Sequence, residues 1–374
     1  MKKILRILIL LLVIALWAAT ATASDGENRI ILDGTDIGAA TGDLLPLRDI
    51  AVRTGGTVEW VAVTRQIIVR RGGRTIRMTT GSTLATVNGS PVTLAAPPVL
   101  AGGRTLLPLC FYAEHMGLGA GHMGGAFILS TTPAQRVPVL TYHHILPDEV
   151  NTRFRENPWT VSTEEFAAQM RYLRDNGFYT PTLCELEAFL YRGWPLPAKS
   201  VMIHFDDGYY SNYVYAYPIL QRYGLRAVLF PITGHSERLG EYQPPICHDS
   251  LTHAAAVTLR APSDVFETAS HTHNMHSNVP GTEATGLMAG TREEIIADTR
   301  QSFEFLTNHR AFAYPRGQFN DYVIDALREA GITMAFTVNR GYVTSQSDPF
   351  RLNRFTVYRG TRMARFRDIV NGRA

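Results

Sequence analysis

Two short stretches carry side chains of the kinds that bind cations and move protons. In residues 201–209 (VMIHFDDGY), Val201, Met202, Ile203 and Phe205 run into Asp206, Asp207 and Gly208. In residues 270–276 (SHTHNMH), His271, His273 and His276 fall within six positions. An apolar run ending in adjacent carboxylates reads as a buried parallel strand that reaches an open rim, where α/β folds keep their chemistry. Successive strand side chains point to opposite faces, so one aspartate can grip a cation while the other stays free to move a proton. His271 and His276 lie about 140° apart on a helix and on opposite faces of a strand, so they converge only if the backbone turns between them. His273 with His276, at i, i+3, is the rival pair if the segment is helical. Two imidazoles and a carboxylate leave positions for water and substrate, as catalytic zinc requires. Taken alone, Asp-Asp-Gly is also an ordinary turn.

The elements around these stretches alternate in type. After a polar linker at 131–136, Val137 to Tyr142 opens a second domain (137–370) as a buried strand ending in His143-His144. Ser162 with Glu165, Thr182 with Glu185 and Thr291 with Glu294 are capping boxes that start helices. Strands are expected at 199–205, 227–233, 265–269, 311–314 and 333–338, and a helix at 320–330 stopped by Gly331. Such βαβα alternation predicts an α/β fold with a parallel sheet and helical crossovers, closed or nearly closed as a barrel. The loops that follow the strands are expected to carry the function.

The N-terminus has another character. Lys2, Lys3 and Arg6 precede an apolar run from Ile7 to Trp17, and Ala21-Thr22-Ala23 supplies small residues before Ser24, so residues 1–23 read as a secretory signal peptide. The expected location is therefore extracellular or in the cell envelope. The chain has 36 Lys+Arg against 33 Asp+Glu, and losing Lys2, Lys3 and Arg6 brings them level. A neutral mature chain lacks the positive charge of a nucleic-acid binder. Cys110, Cys184 and Cys247 are too scattered for a disulfide framework and are expected to be mostly buried.

Residues 28–130 hold an internal duplication. LLPLRDIAVRTGGTVEW (44–60) is echoed by LLPLCFYAEHMGLGAGHM (106–123), with a hairpin at Gly72-Gly73 between the copies. The two Leu-Pro-Leu helix starts and the ILDG beginning at Ile31 resemble the domain family named after the N-terminal domain of copper amine oxidases. No copper follows, because His115 and His122 are its only histidines. The expected role is a spacer or wall-binding module, dispensable for chemistry.

The second domain resembles the polysaccharide deacetylases, the NodB-homology family of carbohydrate esterases. His204-Phe205-Asp206-Asp207-Gly208 matches its first motif with histidine in place of threonine. The five-residue histidine spacing and Tyr142-His143-His144 are similar to the poly-N-acetylglucosamine deacetylase branch. Ala313-Tyr314-Pro315-Arg316-Gly317 matches the third motif at Pro315 and Gly317. The resemblance implies that Asp206 is the general base and that Asp207, His271 and His276 ligate a divalent metal, Zn2+ with Co2+ or Ni2+ as alternatives. It further implies that the Arg316 N–H stabilises the oxyanion and that Tyr314, Pro315 and Gly317 line the substrate site. The implied substrate is an N-acetylated glycan: poly-N-acetylglucosamine, peptidoglycan or a chitin-like chain.

Two departures stand out. Ala313 replaces the arginine that usually braces the base, and no histidine follows His309 to serve as the usual general acid. His144 or His143, at the mouth of the opening strand, is expected to take over the acid's task. The same departures suit a catalytically weakened glycan-binding protein of the cell envelope. A metallopeptidase is disfavoured because no HExxH occurs. Tyr209, Tyr210 and Tyr213 are candidates for stacking on sugar rings.

Overall fold

The structure, a computed structural model, describes residues 28–374; the signal peptide expected at 1–23 lies outside them. In the first module the duplicated Leu-Pro-Leu segments become strands Leu44–Pro46 and Arg104–Pro108, each leading through its proline into a short helix, Leu47–Arg53 or Leu109–Glu114. The two strands pair antiparallel, Leu107 opposite Leu45, so the repeats meet back to back. The strands Gln66–Arg71 and Arg74–Thr79 form the expected hairpin. Its turn residues Gly72 and Gly73 have φ of 53° and 76°, the left-handed pair that a two-residue type I′ turn demands. Ile50, Ile67, Val69, Tyr112, Phe127 and Leu129 fill this module's core.

The second domain is built around a five-stranded parallel sheet. Its strands run in the order Phe266–Thr268, Ala227–Pro231, Met202–Asp207, Val139–Tyr142 and Phe355–Thr356. A separate parallel pair, Ala311–Ala313 with Met334–Phe336, is joined to the two edges of that sheet by single bridges, Ser270 to Phe312 and Phe336 to Leu352. Of the closed or nearly closed barrel expected, the structure shows two parallel sheets linked by single bridges. Strand alternation gives the main sheet two apolar faces. Leu140, Ile203, Phe205 and Leu229 pack under helices Thr163–Asp175 and Tyr217–Tyr223 through Phe166, Met170 and Leu220. Val139, Met202, Val228 and Phe230 face Ala313, Phe336 and Leu352 on the other side. All three capping boxes form, with each Glu reaching back to its cap residue. The third helix ends at Ser302 and continues as a 3₁₀ turn to Phe305.

The linker is not a free tether. Ala120 N–H donates to the Pro195 carbonyl at 2.9 Å, Ala134 N–H to Leu196 at 3.0 Å, and the Trp194 indole to the Ala120 carbonyl at 3.1 Å. A Cβ at Gly121 would stand 2.3 Å from the Tyr179 hydroxyl, so the strand Gly119–Met123 approaches the second domain at a distance only glycine permits. Trp194 packs against both cores. The module expected as a spacer or wall-binding unit is docked on the second domain, to which its strand supplies hydrogen bonds and apolar cover. The cysteines also differ from expectation: all three are unpaired, Cys184 and Cys247 are exposed, and Cys110 is half-buried. Among the described residues no helix is long and apolar enough to cross a membrane.

Docking of this kind predicts that a chain beginning at Pro133 folds with a Tm lower by about 5–10 °C, since uncovering an aromatic and its neighbours costs roughly 2–3 kcal/mol. Calorimetry checks this. An unchanged Tm would mean that the interface contributes no stability.

Candidate metal centre

Asp207, His271 and His276 come together at the rim of the parallel sheet, with one donor atom of each within 4.8 Å of the others. The Asp207 Oδ1 lies 3.6 Å from His271 Nε2 and 3.4 Å from His276 Nε2. Two backbone departures make this convergence. Asp207 has φ 69°, which turns its carboxylate off the strand's alternation, and Gly208 behind it is packed so tightly that a Cβ would meet Pro231 at 2.5 Å. Thr272 has φ 74° and supplies the turn that a five-residue spacing requires. His271 Nδ1 sits 2.7 Å from the Ala313 carbonyl and donates to it, leaving the Nε2 lone pair aimed at the cluster. Burial, and then the neighbouring His271, push His276 down to about 4, so it stays neutral and able to ligate above that pH. Two oriented imidazoles and a carboxylate fit a divalent cation. The rival His273 is turned away: Thr233 Oγ1 holds its Nδ1 at 2.9 Å and Glu237 lies 3.3 Å from its Nε2.

Asp206 points the other way, to the sheet face it shares with His204. Its two oxygens accept from Arg354 Nη1 and Nη2, both at 2.8 Å, while Arg354 Nε donates to the Thr337 carbonyl at 2.7 Å. This fork is buried: the side chains of Arg354 and Asp206 are 1% and 5% exposed. Burial alone would raise the Asp206 carboxyl, but the Arg354 charge, then His271 and the paired hydrogen bonds outweigh it and hold the group far below the usual carboxylate range. The arginine missing at Ala313 is therefore supplied by the strand at the sheet's edge. Sequence reasoning missed Arg354. The available signal was an arginine opening the apolar-alternating run Phe355-Thr356-Val357, in a chain whose carboxylate lacked a brace. His204 lies fully buried between Phe230 and Phe336, and neither ring nitrogen has a partner; burial keeps it neutral, well below its ordinary pKa.

Arg316 occupies the left-handed region, φ 53° and ψ 15°, inside the short 3₁₀ turn Pro315–Gly317. Gly317 cannot carry a side chain, since a Cβ would meet Val338 Cγ2 at 2.3 Å. Of the three residues expected to line the substrate site, only Tyr314 reaches the cavity wall. Its hydroxyl donates to the Phe350 carbonyl at 3.0 Å, and its ring stacks on Phe319, so it braces the turn. Pro315 and Gly317 shape the turn from behind.

Above the cluster opens a cavity of about 550 Å³, within the usual range of ligand sites. Asp206, Asp207, His271 and His276 line its less exposed part, and Arg316, Trp159, Tyr358 and Leu251 its exposed part. Trp159 and Tyr358 meet edge to face at 5.0 Å and are 40% and 41% exposed. Both opening-strand histidines line the cavity, but differently. The ladder pairs Thr141 with His204 and Tyr142 with Phe205, so His143 continues on the Asp206 side, where burial lowers its pKa and the Asp207 and Asp206 charges oppose that shift. His144 is enclosed by Phe154 and Tyr209, makes no hydrogen bond or ion pair with the cluster, and is pushed down to about 4 by burial and then by His248 and His253. Tyr209 reaches the cavity, whereas Tyr213 packs against Phe266 in the core.

Comparison with known proteins agrees with both resemblances. The Polysaccharide deacetylase family model matches residues 194–335, and the Copper amine oxidase N-terminal domain model matches residues 38–123. The chain is 29% identical over 240 residues to YxkH of Bacillus subtilis, covering 63% of this chain and 76% of that one. It is 28% identical over 209 residues to a poly-beta-1,6-N-acetyl-D-glucosamine N-deacetylase of Staphylococcus aureus, covering 53% and 68%. The structure of IcaB from Ammonifex degensii superposes with a TM-score of 0.53 at 24% identity, over 65% of this chain and 99% of that chain, a likeness of fold.

Two outcomes follow from this geometry. His276→Ala should abolish stoichiometric uptake of Zn2+ while His273→Ala retains it, as read by metal analysis after gel filtration; the reverse pattern would reassign the ligands. Arg354→Met should remove the largest of the forces that hold Asp206 low, leaving burial opposed only by the neighbouring histidines. A carboxyl held low by its partner is ionised throughout the working range, and without that partner it protonates at higher pH. The acid limb of kcat/KM should accordingly move up by at least about one pH unit, the scale of one opposite charge at close range. An unmoved limb would show that the pair does not tune the site.

Proposed function

We propose that this chain, whose residues 194–335 belong to the polysaccharide deacetylase family, is a metal-dependent hydrolase that removes N-acetyl groups from an exported glycan. Poly-N-acetylglucosamine, peptidoglycan and chitin-like chains are the substrate classes, and the basic-then-apolar N-terminus supports action outside the cell. One observation carries the reading: a two-histidine, one-carboxylate cluster shares a cavity with a second carboxylate held ionised by Arg354. The five-stranded parallel sheet, the pair Ala311–Ala313 with Met334–Phe336 and the bridges between them support a distorted barrel with this site at its rim.

The chemistry is hydrolysis of an acetamide: water adds to the carbonyl carbon, the C–N bond breaks, and acetate and a free amine leave. A divalent cation held by Asp207, His271 and His276, Zn2+ with Co2+ or Ni2+ as alternatives, supplies Lewis acidity toward the carbonyl and acidifies water. Asp206 takes the proton of the attacking water. Because Arg354 makes it a weak base, that transfer is concerted with attack, and the fork fixes where the accepting oxygen points. The Arg316 N–H donates to the oxyanion, its direction set by the left-handed turn. His143 delivers a proton to the leaving nitrogen: it continues the strand on the Asp206 side and stands against Trp159 at 4.5 Å. Of the two histidines expected for the acid's task, His144 and His143, this reading chooses His143. Trp159 and Tyr358 offer faces for the apolar side of a sugar ring. Arg354 also removes one ground for a binding protein without turnover, the unbraced base.

Acetate release from N-acetylated oligosaccharides tests the reading, with Zn2+, Co2+ or Ni2+ restored after chelation. Metal-restored release supports it, and no release with any of the three contradicts it. In the same assay His143→Ala should lower kcat by about 100-fold or more and remove the alkaline limb, while His144→Ala stays within about tenfold, on the usual scale of general-acid contributions. Equal losses would return the acid's role to either histidine.

A further inference from the structure

We infer that Asp298 is a positioning residue for the metal centre: its carboxylate holds the 271–276 loop in the turned conformation that brings His271 and His276 together. This rests on the metal reading above and adds a residue that touches neither metal nor substrate.

Asp298 lies on the helix Arg292–Ser302, on the buried side with Ile295, Thr299 and Ser302. Aspartate is a poor helix former, and burying a carboxylate costs several kcal/mol unless it is hydrogen-bonded. Here both oxygens are used, and among the described residues no Lys or Arg pairs with them. The His273 N–H donates to Oδ2 at 2.7 Å and the Asn274 N–H to Oδ1 at 2.7 Å. The Met275 N–H is also directed at this carboxylate. Three successive N–H groups converging on one anion form a nest, a shape that extended or helical backbone does not make.

The same residues are gripped from the opposite side. Thr233 N–H donates to the Thr272 carbonyl at 3.2 Å and Gly234 N–H to the His273 carbonyl at 2.8 Å. A Cβ on Gly234 would stand 2.0 Å from Asn274 Oδ1, so the backbones are at their closest approach. Met275 is fixed at its carbonyl by Leu287 N–H at 3.0 Å. The two ligand histidines therefore sit at the two ends of a segment whose centre is locked, and among the described residues Asp298 is the carboxylate that accepts from its backbone. Free of it, the three N–H groups lose their acceptor in a buried place, and the loop relaxes toward a conformation that separates the imidazoles.

The test is Zn2+ titration calorimetry and the Co2+ d–d absorption spectrum of the full chain as wild type, Asp298→Asn and Asp298→Ala. Asparagine keeps one acceptor oxygen and alanine none, so metal affinity should fall by about tenfold and about 100-fold in turn, the range that outer supporting groups of metal sites show. The cobalt spectrum should change in step, with far-UV circular dichroism unaltered. A lowered Tm with unchanged metal affinity in both variants overturns the inference, because a merely structural carboxylate would do that. If Asp298→Ala does not fold, Asp298→Asn decides alone: a clear affinity loss supports the inference and wild-type affinity overturns it. A wild-type chain that takes up no divalent metal overturns the metal reading itself, and this inference with it.

Discussion

Two carboxylates on adjacent residues of one strand end repel each other, and burial raises the cost of ionising either. The centre depends on how that conflict is resolved. Asp206 is neutralised by the Arg354 fork on the interior face of the sheet, and Asp207 is swung by its left-handed backbone toward two imidazoles on the rim. Each carboxylate acquires its own partner, so both stay ionised and neither competes for the other's role. A buried fork of this kind is fragile to loss of one member, since stranding its partner costs about 3–5 kcal/mol. Every neighbouring element, from the edge strand that brings Arg354 to the strand that brings His143, is arranged around that division.

Backbone strain is concentrated at the same place. Asp207, Thr272 and Arg316 all lie in the left-handed region, and each sets the direction of a group lining the cavity. Such conformations cost about 1–3 kcal/mol apiece and persist only when the surroundings over-determine them. Those surroundings are visible: Gly208 pressed on Pro231, Gly317 pressed on Val338, and the histidine loop held between the Thr233–Gly234 backbone and Asp298. Chemistry here is positioned by tight packing of small residues as much as by the reactive side chains.

What was legible in the sequence was what is encoded locally. Capping boxes with partners three residues apart, the Gly72-Gly73 turn, each Leu-Pro-Leu helix entry and the five-residue spacing of His271 and His276 all act over short chain distances, where residue type fixes geometry. The family resemblance followed from those local motifs. What was not legible acts over long distances. Arg354 meets Asp206 across 148 positions, and neither residue's neighbours announce the other. Asp298 reads as one more polar residue on an amphipathic helix until its helix is laid against the histidine loop. The choice between His143 and His144 depends on which face of a parallel ladder each occupies, and the docking of the first module depends on Gly121 meeting Tyr179, one glycine and one tyrosine among many.

The central claim is a division of labour between the two aspartates, and zinc-edge anomalous diffraction from crystals of the zinc-loaded chain tests it most directly. The account predicts a single strong peak about 2.0–2.2 Å from an Asp207 oxygen and from the Nε2 atoms of His271 and His276, with Asp206 still forked to Arg354 and clear of the metal. A peak bridging both carboxylates, or one bound by His273, would contradict it.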